Sequence, residues 1–266
     1  MDWLQVVVLA VVQGISEFLP VSSSAHLILV PVLTEWQDQG LAFDVALHLG
    51  SLSAVILYFR HEIWQMMTSS LAAMRGKGVN DDARLAFWVT LATIPVGIIG
   101  LVLHDVISHF MRSTLIIGFS LIGFGLLLGY ADWRKGGTRS EYQLCLKDVL
   151  IIGGAQALAL IPGTSRSGIT ITAALMVGMS REGASRFSFL LSIPVIVLAG
   201  GLEALGLFNA SESIDWLAML VGTFLSGVSA YLCIHYFLVI IKKLGMQPFV
   251  IYRVLFGAWL LWFFYF

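Results

Sequence analysis

Apolar residues fall in six long blocks along the chain, at about 41–61, 85–103, 113–131, 186–207, 216–241 and 248–265. Each comes close to the ~20 consecutive apolar residues that one helical crossing of a bilayer requires. Runs such as 115–128 are apolar without alternation, which excludes the inward–outward pattern of a transmembrane barrel. Two further apolar stretches are broken in the middle. Residues 2–33 are interrupted by Glu17 and by Leu19-Pro20-Val21-Ser22-Ser23-Ser24, and residues 148–179 by Ile161-Pro162-Gly163-Thr164-Ser165-Arg166-Ser167. Each half of these stretches is shorter than a full crossing. Pro and Gly stop a helix, and the polar residues beyond them can cap a new one. Both stretches are expected to be re-entrant helix–loop–helix hairpins that enter and leave by one face, since irregular backbone at membrane depth survives only inside protein or beside a wet cavity.

The pattern repeats. FLPVSS (18–23) aligns with LIPGTS (160–165), and FDVALHLG (43–50) with FSFLLSIP (187–194), at offsets of 142 and 144. The expectation is a single all-α integral membrane domain, 1–266, with an inverted-topology repeat. Its halves are approximately 1–135 and 145–266, each one hairpin followed by three transmembrane helices. Three crossings are odd, so the second half lies upside down relative to the first.

Composition agrees with this class: 58% of residues are hydrophobic, 12% are charged, and the mean hydropathy is +0.90, where a soluble domain carries about a quarter charged residues. The net charge of −1 points to no partner, and no basic run suits nucleic acid. Cys145 and Cys233 form neither a disulfide framework nor a metal cluster. The start, Met1-Asp2-Trp3, lacks the basic region of a cleaved signal peptide.

The distribution of charge carries more. If the termini share one face, the loops on the other hold Arg60, Arg75, Lys77, Arg84, Arg134, Lys135, Arg139, Lys147, Arg181, Arg186, Lys242 and Lys243, against Arg112 alone on the terminal face. Twelve against one is a decisive positive-inside bias, so both termini are expected on the non-cytoplasmic side. Arg166 and Arg253 remain unassigned. The hairpins then enter from opposite sides and their tips can meet near the midplane.

At the first tip Gln13 and Glu17 share a helical face at i, i+4. Ser22, Ser23 and Ser24 open the next half-helix, whose free N–H groups make an anion site, and His26 lies one turn in. At the second tip Gly163 permits close backbone approach to a ligand, and Thr164, Ser165 and Ser167 offer hydroxyls. Arg166 supplies a cation. A carboxylate with an amide, hydroxyls, a histidine and an arginine together form a candidate phosphate site. Glu17 would hold Mg²⁺ or Ca²⁺ through oxygen, and Arg166 would clamp phosphoryl oxygens. Each residue has a plainer role open to it: serines bond the preceding turn, and Glu17 with Arg166 can be a buried structural pair. Their coincidence at the two helix breaks weighs against that. His48 and Glu203 are read as structural, and His61, His104 and His109 as solvated groups at span ends. Trp3, Trp36, Trp133, Trp216 and Tyr265 are read as an interfacial aromatic belt.

Both tips resemble one family, the bacterial undecaprenyl-diphosphate phosphatases (the bacitracin-resistance phosphatases). Its motifs are an (E/Q)xxxE stretch, PVSS with a following histidine, and PGxSRSxxT. Here these read Gln13-Gly14-Ile15-Ser16-Glu17, Pro20-Val21-Ser22-Ser23 with His26, and Pro162-Gly163-Thr164-Ser165-Arg166-Ser167-Gly168-Ile169-Thr170. The likeness covers the whole chain, and Gln13 leaves one carboxylate in the acidic motif.

It implies hydrolysis of undecaprenyl diphosphate to undecaprenyl phosphate and inorganic phosphate, which recycles the lipid carrier of peptidoglycan synthesis and bears on bacitracin resistance. It also implies a multi-pass place in the bacterial inner membrane and a divalent cation, Mg²⁺ or Ca²⁺, at Glu17 with Gln13 beside it. Ser23 would be nucleophile or phosphate ligand, with a metal-held water as the other attacking group. His26 would be general acid/base, and Arg166 would bind the diphosphate. Ser22, Ser24, Gly163, Thr164, Ser165, Ser167 and Thr170 would line the substrate pocket. A homodimer is one assembly left open. The resemblance points to the outer face for the site's opening. The main rival is a polyprenyl-phosphate transporter or flippase using the same anion site. The other membrane lipid-phosphatase superfamily is excluded: its second motif needs a histidine six residues after the arginine, where this chain has Thr172.

Overall fold

The computed structural model describes residues 2–103, 113–134, 137–207 and 215–265, without the side chains of 204–207. His104, His109, Arg112 and Lys135, named above, lie outside them. Eleven α-helices are described: α1 (Trp3–Phe18), α2 (Ser23–Thr34), α3 (Leu41–Tyr58), α4 (Arg60–Met74), α5 (Asp81–Val102), α6 (Thr114–Trp133), α7 (Leu146–Gln156), α8 (Arg166–Met176), α9 (Arg181–Leu207), α10 (Trp216–Leu244) and α11 (Gln247–Tyr265). No strand occurs among the described residues, only an isolated bridge between Arg139 and Met179. Six helices, α3, α5, α6, α9, α10 and α11, are long and apolar enough to cross a membrane. They coincide with the six blocks of the sequence.

The broken stretches form paired short helices. α1 stops at Phe18, where Leu19 turns extended ahead of Pro20, and α2 starts at Ser23. In the second stretch the α-helix stops sooner than the Pro162–Gly163 pair. α7 ends at Gln156, a 3-10 turn occupies Ala157–Leu160, and α8 starts at Arg166 behind Ser165, whose Oγ accepts the N–H of Gly168 at 3.1 Å. That N-cap bond satisfies one orphan donor of the new helix.

One loop expectation is corrected. Residues 60–84 contain the 15-residue helix α4, packed on α5. Its sequence is too polar to span, yet it carries the exposed row Trp64, Met67, Leu71 and Met74. That row at i, i+3, i+7, i+10 lies along one side of the helix.

The charged loops meet at one end of the bundle. Arg186 bonds Glu62 at 2.9 Å and Glu141 at 2.6 Å, Arg181 bonds Asp132 at 2.6 Å, Lys242 bonds Glu182 at 3.0 Å, and Arg139 pairs with Asp148. Residues 62, 132, 139–148, 181–186 and 242 therefore share that end. α10 runs away from it to Ala218, which packs with Val6 of α1, and α6 runs away from it to Thr114, whose hydroxyl meets that of Tyr265 at 3.0 Å. The start of α1 and the end of α11 thus lie at the opposite end.

α1 packs on α10 as α7 packs on α5, α3 packs on α10 as α9 packs on α5, and α6–α11 and α3–α9 pair across the halves. The main buried core joins Phe18 and Phe59 to Phe187, Phe189 and Phe237 between the hairpins and the spans.

Candidate active site

Glu17 stands at the end of α1, 8% exposed, and gathers groups from three elements. Its Oε1 accepts Arg166 Nη2 of α8 at 2.9 Å, a contact spanning 149 positions. Its Oε2 accepts Ser23 Oγ of α2 at 2.7 Å and Gln13 Nε2 at 3.1 Å. The two tips therefore meet at one carboxylate. Arg166 also donates from Nη1 to the carbonyl of Ser188 on α9 at 3.0 Å, which fixes the plane of the guanidinium. A desolvated arginine needs such partners on both faces of its fork.

The tips share a backbone device. Ser22 and Ser165, each the residue before a half-helix, have φ of 77° and 69°. Left-handed conformations are costly for a residue with a side chain, and they collect where a site fixes its backbone. Gly163 has φ of 88°, and a Cβ there would come within 2.6 Å of the Ile117 carbonyl of α6. Its glycine is thus explained by packing on α6.

The remaining hydroxyls divide by role. Ser167 donates to the carbonyl of Leu19 at 2.9 Å and so ties the second tip to the first. Thr170 donates to the carbonyl of Arg166 at 2.8 Å and meets Ser188 Oγ at 2.7 Å, bracing the arginine from beneath. Ser165 caps α8. Ser22 and Ser24 face one another at 3.2 Å, with Ser24 exposed. Thr164 is buried with an unpartnered Oγ1. His26 stands apart from the Glu17 contacts. Its Nδ1 donates to the carbonyl of Ser22 at 2.7 Å, which leaves Nε2 to accept from the hydroxyl of Tyr252 on α11.

Three residues at the site were not read from the sequence. Arg253 of α11 has no exposed surface; Nη1 donates to Pro20 at 3.2 Å, Nη2 to Gly163 at 3.0 Å and Ser120 at 3.4 Å, and Nε to Leu121 at 3.2 Å. It binds the backbone of both tips to α6, and a cation in the middle of an apolar span was its signal. Tyr252 adjoins it and holds His26. His48, read as structural, brings Nε2 to 3.8 Å from Glu17 Oε2 and belongs to the site. Glu203 stays apart from these contacts.

The donor set admits a divalent cation. Gln13 Oε1 is buried without a partner beside the Glu17 carboxylate. Unpaired buried amide oxygen is costly and is satisfied by a cation or water. Oxygen donors of this kind, few in number, suit a metal that keeps waters and takes further ligands from phosphate. No cluster of three or more His, Cys, Asp or Glu side chains exists among the described residues, so the protein would supply only part of the coordination.

The family described as bacitracin resistance protein BacA matches residues 6–259. An undecaprenyl-diphosphatase of Thioalkalivibrio sulfidiphilus is 58% identical over 266 residues, covering 100% of both chains. One from Nitrosococcus oceani is 56% identical over 99% of this chain and 100% of its own. An undecaprenyl-diphosphatase 2 of Stutzerimonas stutzeri is 57% identical over 98% of each. With its two tips joined at Glu17 and its length matched end to end, this chain belongs to the bacitracin resistance protein BacA family.

Proposed function

We propose that this chain hydrolyses undecaprenyl diphosphate to undecaprenyl phosphate and inorganic phosphate within the membrane. The observation that carries the reading is Glu17 holding the Ser23 hydroxyl from one tip and the Arg166 guanidinium from the other. Arg166 binds the phosphoryl oxygens and opposes the charge that grows on them. The free N–H groups at the start of α2 and α8 add to that field. Ser23 donates to Glu17, so its Oγ lone pairs face away from the carboxylate and its proton has an acceptor as Oγ attacks the terminal phosphorus. The bond to the bridging oxygen breaks, the lipid monophosphate leaves with the electron pair, and water then cleaves the phosphoserine. His26, with Nδ1 fixed on a carbonyl, can exchange a proton at Nε2 alone. Gln13 and Glu17 would hold a divalent cation, Mg²⁺ or Ca²⁺, which when bound neutralises diphosphate charge.

The charge bias of the loops supports termini on the non-cytoplasmic side of a bacterial inner membrane, and the paired helix contacts of the two halves support an inverted repeat. A transporter is disfavoured, because the base–hydroxyl pairing of Glu17 and Ser23 serves bond cleavage and adds nothing to anion passage.

Phosphate release from undecaprenyl diphosphate by purified protein in detergent tests the reading, with EDTA and Arg166→Ala as controls. Release that needs Arg166 is expected. Bound lipid without release from folded protein would favour the transporter.

A further inference from the structure

One face of α11 carries Tyr252, Phe256, Trp259 and Phe263, at i, i+4, i+7 and i+11, a single stripe on a helix. Their rings stack in sequence: centroids lie 5.6, 5.9 and 5.4 Å apart, with planes inclined by 24°, 12° and 27°. The His26 ring continues the series, 5.8 Å from Tyr252 at 12° and 5.1 Å from Phe256 at 20°. Among the described residues every other aromatic pair is edge-on or tilted by 48° or more. Phe256 is partly covered by Ala25 and Leu29 of α2 and Ile117 and Leu121 of α6. Tyr252, Trp259 and Phe263 stay 41%, 38% and 54% exposed on the side of the bundle. The stripe covers about 16 Å of helix at 1.5 Å per residue, starting at a site residue and rising toward the terminal end.

Burial from water cannot explain such a surface, because bilayer hydrocarbon already surrounds it and apolar association there rests on dispersion and shape. What a staircase of flat rings adds is a set of polarisable faces with troughs between them. A chain with methyl branches and double bonds at regular intervals fits those troughs; a straight saturated chain has nothing to place in them. We propose that this aromatic staircase is the tail subsite, receiving the isoprene units nearest the diphosphate. The proposal rests on the diphosphatase reading. It makes α11 the specificity element: Arg253 on its inner face ties the two tips together, and the outward stripe selects the lipid.

The test compares kcat/KM for undecaprenyl diphosphate with that for dimethylallyl diphosphate, which has a single isoprene unit. Parent, Trp259→Ala, Phe263→Ala and Trp259→Leu are measured, with Phe224→Ala, an exposed aromatic of α10, as control. The ratio of long to short substrate should fall about tenfold in the Trp259 and Phe263 variants, through KM, and stay at the parental value in the control; tenfold corresponds to about 1.4 kcal/mol of tail binding. Trp259→Leu should fall with Trp259→Ala, because the ring face and not the apolar bulk is required. If the parent cleaves both substrates and the stripe variants keep its ratio, or lose both activities equally, the tail subsite is wrong and the enzyme stands. If the parent cleaves neither, the diphosphatase reading falls and takes the subsite with it.

Discussion

Ser22 and Ser165 hold one backbone conformation at corresponding points of the two tips, φ 77° with ψ 91° and φ 69° with ψ 116°. They stand 143 positions apart, between the two offsets of the sequence repeat. Each sets the first residue of a half-helix, Ser23 or Arg166, against Glu17. The strain is thus located one residue before the groups that it aims.

Relieving that strain should stabilise the protein. A non-glycine residue in the left-handed region costs roughly 1–2 kcal/mol. Ser22 makes no capping bond with its side chain, so Ser22→Gly should raise the thermal midpoint in detergent by a few degrees. Ser165→Gly should gain less, because the bond from Gly168 N–H to Ser165 Oγ is lost with it. Both should lose activity as the tips loosen. A lower midpoint for Ser22→Gly would contradict the account.

Arg253 should behave as a brace. Arg253→Met leaves the buried carbonyls of Pro20 and Gly163 without a donor, while those of Ser120 and Leu121 keep the amides of their own helix; each buried acceptor left unmatched costs about 1–3 kcal/mol, offset in part by no longer burying a charge. We expect a lower midpoint and at least a tenfold loss of kcat with little change in KM. Arg253→Lys keeps the charge, but one ammonium cannot reach Pro20 and Gly163 together, so it should fall between. Equal stability and activity in the methionine protein would remove Arg253 from the argument.

The spans, the breaks and the charged end were legible because each depends on local composition: long apolar runs, Pro and Gly in two of them, and Lys and Arg in four loops. α4 was not, since a short helix of mixed composition has neither the length of a span nor the polarity of a loop. The site was legible where its residues cluster in sequence. Arg253, Tyr252 and His48 come from other helices and arrive only through packing, which no linear motif encodes. The sequence also placed Ser165, Ser167 and Thr170 among the pocket-lining hydroxyls; in the fold these three are engaged in capping α8, joining the tips and bracing Arg166.

The Glu17–Arg166 pair should be destabilising to break and cheaper to remove whole. Loss of one partner from a buried pair costs about 3–5 kcal/mol, whereas replacing both by neutral groups of similar size is often near neutral. Glu17→Gln and Arg166→Met should each lower the midpoint, and the double variant should recover part of the loss. Activity should not recover, falling by about 10²–10³ in all three, because Arg166→Met removes charge stabilisation and Glu17→Gln removes the acceptor of the Ser23 proton. A double-mutant cycle on the midpoint with no coupling would show that the two do not act as a pair.

Gln13 offers the sharpest test of a bound cation. Its Nε2 donates to Glu17 while Oε1 has no partner, so the amide is held on one side and open on the other. Gln13→Glu places a second carboxylate beside Glu17. Without a cation the two charges repel and the midpoint should drop. With one, affinity for a hard divalent ion rises with ligand charge, so added Mg²⁺ or Ca²⁺ should restore the midpoint, and more EDTA should be needed to silence the enzyme. Gln13→Ala should weaken the metal response in both readouts. Were the Gln13→Glu protein destabilised equally with and without divalent ions, Gln13 would not be a metal ligand, and the open oxygen would be left to water.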